Sequence, residues 1–268
     1  MNPHQRKRRG ILALVTVVQV ALFAGGCKDK PNAFAPSDDE PASNAARRPV
    51  DPKTAGSVTG VVKFEGVPRR PRNINMASVP NCAKMHSSPV KTQDVVPGEN
   101  GTLQNVVVYL RGDFAQYSFE IPQPATLDQN GCMYVPHVIA LMKGQHLRVT
   151  NSDETTHNVN AAPRINGGWN QSQSTGSAAA DEVFGHAEIG IPVKCNIHPW
   201  MKSYIAVFAN PYFQVTGEDG SFKIENLPPG TYKLTAWHEV YGAKEQDVTV
   251  SANQQQIAEI TFSDRDRP

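Results

Sequence analysis

From Ser57 onward, apolar residues in this chain fall in short alternating or β-branched runs, and no amphipathic stretch of ten or more residues shows helical spacing. Val58 to Phe64, Val106 to Leu110, His146 to Thr150, Tyr204 to Phe208, Phe222 to Ile224, Tyr232 to Trp237, Val248 to Val250 and Ile257 to Phe262 each read as a strand. Turn clusters separate them, among them Pro97-Gly98-Glu99-Asn100-Gly101, Glu218-Asp219-Gly220 and Pro228-Pro229-Gly230. The pattern predicts an all-β protein built from β-sandwiches. Ser172 to Val183 has room for a short helix, but its Ser, Gly and Ala content suits a loop equally well. With 268 residues, there is chain for one large domain or two small ones.

The first 26 residues read as a signal peptide. A cationic start, Arg6 to Arg9, precedes the apolar run Ile11 to Ala24, which is shorter than a membrane span needs. Gly25-Gly26-Cys27 resembles the lipobox of bacterial lipoproteins, in which the thiol is acylated, with Ala24 where that pattern usually has Leu; the resemblance implies lipidation at Cys27. Arg8-Arg9-Gly10-Ile11-Leu12 also resembles a twin-arginine export signal without its usual flanks, which leaves the export route open. Residues 27–56, rich in Pro, Ala, Ser, Asp and Lys, read as a disordered tether with a reach on the order of 30 Å. Removing the leader leaves 22 basic against 25 acidic side chains, with no basic stripe to neutralise nucleic-acid phosphates.

Four residues carry the sharpest chemical pattern: His157, then Cys195, His198 and Met201 within CNIHPWM. A thiolate, two imidazoles and a thioether form a soft, mixed donor set that suits copper, and zinc would gain little from the Met. The C-x-x-H-x-x-M spacing lets one tight loop present three ligands while the fourth arrives from a distant strand. Of the other cysteines, Cys82 and Cys132 form a leftover pair, read as a disulfide outside the cytoplasm. The alternative is a second metal site in which His86 and His137, close behind those cysteines, complete a Cys₂His₂ set.

YVPHVIALMKGQHLRVTNSDETTHNV, Tyr134 to Val159, resembles the strand core of cupredoxins, and CNIHPWM is similar to the copper loop of amicyanin. The resemblance covers Met133 to Phe208. It implies one copper ion held by His157, Cys195, His198 and an axial Met201, with the amide of Asn158 donating to the Cys195 sulfur. It also implies an exposed His198 edge near Pro199 and Trp200. Two departures concern the rim of the site: Val193 stands where an aromatic is common, and Ala161 to Ile191 is long and polar. Thr216 to Trp237, TGEDGSFKIENLPPGTYKLTAW, resembles the carboxypeptidase regulatory-like module, a prealbumin-type sandwich, with Asp219-Gly220 closing a hairpin and Tyr232 forming a tyrosine corner.

These observations lead to a layout of two consecutive domains. A cupredoxin-like Greek-key sandwich with an N-terminal extension occupies residues 57–210, and a smaller regulatory-like sandwich occupies 211–268. In the other layout Gly56 to Pro68 and Val106 to Leu110 belong to the regulatory-like module, and the copper domain is an insertion. The function expected is single-electron transfer between protein redox partners at a mononuclear type 1 copper site, on a lipid-anchored protein on the periplasmic or cell-surface side of a bacterial membrane. No enzymatic turnover, small-molecule substrate or nucleic acid is expected, and no hydrolase or metalloprotease motif is present. The alternatives are copper storage or delivery, and a non-redox adhesion or carbohydrate-binding module.

Overall fold

The computed structural model describes residues 46–267. The signal peptide, Cys27 and the first part of the tether lie outside the described residues. In chain order the strands are β1 (Gly56–Glu65), β2 (Val107–Arg111), β3 (Ala125–Asn130), β4 (Met133–Val135), β5 (Val138–Met142), β6 (His146–Asn151), β7 (His157–Ala161) and β8 (Trp169–Gln173). They continue with β9 (Ala180–Val183), β10 (Glu188–Lys194), β11 (Lys202–Phe208), β12 (Phe213–Val215), β13 (Ser221–Leu227), β14 (Gly230–His238), β15 (Gly242–Val250) and β16 (Gln255–Ser263). One short helix, α1 (Pro80–Lys84), interrupts them. The protein is all β, as the alternating runs predict.

Four sheets form two sandwiches. The outer one faces β13-β1-β16 against β12-β2-β14-β15, over a core that includes Val58, Val62, Phe64, Leu234 and Phe262. The inner one faces β5-β11-β10-β7-β8 against β4-β3-β6-β9, over a core that includes Leu127, Tyr134, Leu147, Val159 and Ile205.

The pairing corrects the expected domain layout. β1 runs parallel to β16 and antiparallel to β13, while β2 pairs with β12 and β14. Both strands therefore belong to the outer sandwich rather than to an extension of the copper domain. β3 to β11 are inserted between β2 and β12, so the outer sandwich is discontinuous in sequence. The physical reason is that β13 and β16, both amphipathic, need β1 between them to complete a buried face.

Two strands show how the sandwiches join. In β2, Val108 and Leu110 point into the outer core while Val107 and Tyr109 meet Val138, Ala206 and Phe208 from the inner sandwich. In β11, Ile205 and Val207 face the inner core and Ala206 and Phe208 face the junction. Burial on both faces explains why VVVYL and YIAVF are unbroken apolar runs instead of alternating ones.

Other details also differ from expectation. Asp219-Gly220 does not close a hairpin, because β13 lies in the sheet opposite both β12 and β14, so this turn, like the one at Pro228-Pro229, carries the chain from one sheet to the other. Ser172 to Val183 holds the end of β8, a turn, and β9, so the long polar stretch adds an edge strand to each inner sheet. The last part of the tether is docked: the Arg48 N–H donates to Gln116 O at 3.0 Å and Arg48 O accepts from the Ser118 N–H at 2.9 Å. Tyr232 does form a corner, its hydroxyl donating to Pro228 O at 2.7 Å.

Two predictions follow from this packing. Gly60 sits in the central strand of a three-stranded sheet, where a Cβ would lie 1.7 Å from the Ala258 carbonyl oxygen. Gly60→Ala is therefore expected to lose about 3 kcal/mol or more of stability in urea denaturation. His238 is 1% exposed, packed against Tyr241 and Phe262, and its ring accepts the Val240 N–H. Burial, with a smaller push from His137, lowers its pKa from 6.5 to about 4. The unfolded chain takes up this proton near pH 6.5 and the folded chain only near pH 4, so stability falls as pH drops through that window, by about 3 kcal/mol. His238→Asn should flatten the difference in unfolding free energy between pH 7 and pH 4.5.

Candidate metal centre

The end of β10 and the start of β11 are joined by residues 195 to 201, and the loop is closed by its own backbone. The Cys195 N–H donates to Met201 O at 3.2 Å and the Met201 N–H to His198 O at 3.0 Å. This folding turns the Ile197 and His198 N–H groups onto the Cys195 sulfur, each at 3.4 Å. β7 pairs with β10 and opens with His157, which brings that imidazole to the same place from a residue 41 positions from His198.

The structure brings three donors together. The Nδ1 atoms of His157 and His198 are 3.0 Å apart, the Cys195 sulfur is 3.8 Å from His198 Nδ1, and the donor atoms of all three residues lie within 4.8 Å of one another. All three side chains are buried, and Met201, at the end of the same loop, is fully buried. Metal–nitrogen bonds of about 2 Å and metal–thiolate bonds of about 2.3 Å put donors on one ion roughly 3 to 4 Å apart. The residues present fit a single ion.

Local electrostatics prepare the donors. Burial works against the Cys195 thiolate, but hydrogen bonding from His157 and from the backbone N–H groups of His198, Ile197 and Asn158 outweighs it and lowers the thiol pKa. The Asn158 side chain braces the loop from outside, accepting the Asn196 N–H at 3.2 Å and donating to Asn170 at 2.7 Å. His198 is pushed down by burial and by the neighbouring His157.

Asp153 is the residue that sequence reasoning passed over. Its Oδ2 lies 2.7 Å from His157 Nε2 and 2.7 Å from the Cys132 N–H, while Oδ1 accepts the Gly131 N–H at 2.7 Å. Burial opposes its charge, yet these bonds keep its pKa below the usual carboxylate value. By accepting the hydrogen bond from Nε2–H, Asp153 keeps the ring proton on Nε2, which leaves Nδ1 of His157 free to coordinate and fixes the ring plane. Its signal was a carboxylate four residues before the ligand, within the N-x-D-x-x-x-H pattern.

Cys82 and Cys132 form a disulfide, S–S 1.99 Å. The Cys₂His₂ alternative is absent: His86 bonds Gly131 O at 2.7 Å, and His137 pairs with Glu239 and Lys202 O. The expected exposed edge of His198 is also corrected. The residue is 2% exposed and its Nε2 lies 3.7 Å from the Cys82 sulfur, because α1 and the disulfide lie over the ring.

Residues 209–263 match the carboxypeptidase regulatory-like domain. No curated protein matches the chain. Among solved structures, the chain is similar to a purple cupredoxin from Nitrosopumilus maritimus, with 20% identity and a TM-score of 0.27, over 31% of this chain and 98% of that one. A Cu(I) amicyanin variant matches with 17% identity and a TM-score of 0.28, over 31% of this chain and 81% of that one. A copper-containing nitrite reductase from Thermus scotoductus matches with 21% identity and a TM-score of 0.29, over 34% of this chain and only 24% of that one.

Asp153→Ala should weaken metal binding about 10- to 100-fold, as loss of such an outer carboxylate does. Competition with a chelator of known affinity measures this, and near-wild-type affinity would show that the ring is held without it.

Proposed function

We propose that the chain holds one copper ion as a type 1 centre and carries single electrons between redox partners. The observation that carries this reading is the buried convergence of two imidazole Nδ1 atoms and one thiolate, with Met201 buried on the same loop. Copper bound there would supply a one-electron Cu(I)/Cu(II) couple. His157, Cys195 and His198 would bind it, with the thioether of Met201 as a weaker fourth donor. The rest of the derivation concerns the protein. The backbone N–H groups of Ile197 and His198 point at the Cys195 sulfur, each at 3.4 Å, and limit its movement. Asp153 holds His157 from behind, and the Asn158, Asn170 and Asn196 bonds lock the loop to β7 and β8. A site braced from so many directions changes shape little between oxidation states, which is what an electron carrier needs and a turnover site does not. A buried site also disfavours storage or delivery, where the ion must leave.

The same reading places the protein outside the cytoplasm, anchored by lipid on Cys27, with the docked segment at Arg48 marking where the tether meets the folded part. Protein redox partners are its proposed clients.

Cu(II) titration of the full chain should give an absorption band near about 600 nm, characteristic of a trigonal His₂Cys thiolate site. Cys195→Ser should abolish it, and Met201→Leu should keep it while raising the potential. A Cys195→Ser protein that keeps the band would remove the thiolate from the ligand set. For the anchor, Cys27→Ala should move the protein from the membrane fraction to the soluble one on cell fractionation.

A further inference from the structure

Electron transfer needs a contact between the centre and the outside, and the ring edge of His198 does not offer one. His198 Nε2 faces the sulfur of Cys82 at 3.7 Å, and both disulfide cysteines are fully buried. The cover belongs to the segment between β1 and β2. There the Ile74 N–H donates to Val90 O and the Thr92 N–H to Arg72 O, both at 2.8 Å, which makes a strap closed on itself around α1. The disulfide ties this strap to Cys132, whose own N–H binds Asp153.

Beside the seal stands Trp200. Its ring centroid is 5.3 Å from that of His198, with the planes tilted by 37°. Its indole N–H donates to Cys132 O at 3.0 Å, so the ring is fixed against the disulfide loop. Trp200 also lines an open cleft of about 450 Å³, together with Arg72, Asp94, His137, Lys202 and Glu239. Basic and acidic groups are balanced there.

We propose that the copper site exchanges electrons through the indole of Trp200 in this cleft, because the disulfide Cys82–Cys132 seals the imidazole edge of His198. This rests on the copper reading above and adds the route. The transfer is outer-sphere: one electron leaves the reductant and reduces Cu(II) to Cu(I), with no bond made or broken and no proton moved. A competing route runs on the far side of the loop, where Ile197 is 49% exposed and its N–H touches the Cys195 sulfur.

Two measurements test the proposal on the full chain. In the first, the copper-loaded protein is reduced by hexacyanoferrate(II) and, separately, by hexaammineruthenium(II), so that a change seen with both marks the route and not the charge of the probe. Trp200→Leu should keep the colour and the potential while the bimolecular rate falls severalfold with both reagents, and Trp200→Phe should restore most of it. A blue Trp200→Leu protein with an unchanged rate, or a loss confined to Ile197→Ala, overturns the relay. The second measurement needs no metal and no variant. Metal-free protein is treated with diethyl pyrocarbonate, with the exposed His146 as internal reference. His198 should resist modification while the disulfide is intact and react after a phosphine reduces it. Modification of His198 as fast as His146 with the disulfide intact overturns the seal. A wild-type chain that takes up no copper overturns the function on which the relay depends, and the seal is still judged by its own measurement.

Discussion

One buried carboxylate ties the site together. Asp153 accepts bonds from the His157 ring and from the Gly131 and Cys132 N–H groups, so a single anion joins the strand that carries His157 to the loop that carries half of the disulfide. A buried charge is tolerated only when its lone pairs are filled, and here three donors fill them. The consequence is mechanical as well as electrostatic. The ring of His157 is held by a group that cannot shift without breaking contacts in the turn between β3 and β4. That turn in turn fixes Cys132, whose disulfide covers His198. The two imidazoles are therefore held from behind by one connected set of bonds.

The insertion gives that set a rigid frame. Because β2 and β11 are buried on both faces, the outer sandwich supports the sheet that supplies Cys195, His198 and Met201. The strap over His198 leaves from β1 and returns to β2, both of them outer strands. The outer sandwich thus contributes the cover of the site directly, which a domain merely following in sequence would not do.

Much of this was legible in the sequence. Alternating runs and Gly, Pro and Asn turns identified strands, because side chains on a pleated strand alternate between faces. The donor set was legible because C-x-x-H-x-x-M is a local spacing, and local spacing survives folding. Cys82 and Cys132 stood out as a leftover pair, but whether they form a disulfide or hold a metal was settled only by the fold. Boundaries were less visible: β1 looks the same whether it pairs with the inner sandwich or with β16, since pairing partners leave no trace in a strand's own residues. Asp153 was in view within a quoted motif, but nothing local says that a carboxylate four residues before a histidine will bend back onto its ring.

By itself, then, the chain determined its strand class, its turns and the candidate donor set of one loop together with His157, all read from residue types and spacings along the backbone. Tertiary structure alone decided that β3 to β11 are an insertion, that the disulfide closes the edge of His198, and that Trp200 faces the cleft. Each of these depends on residues tens of positions apart meeting in space. Such meetings follow from how two sandwiches bury their shared apolar faces, and no local pattern records them.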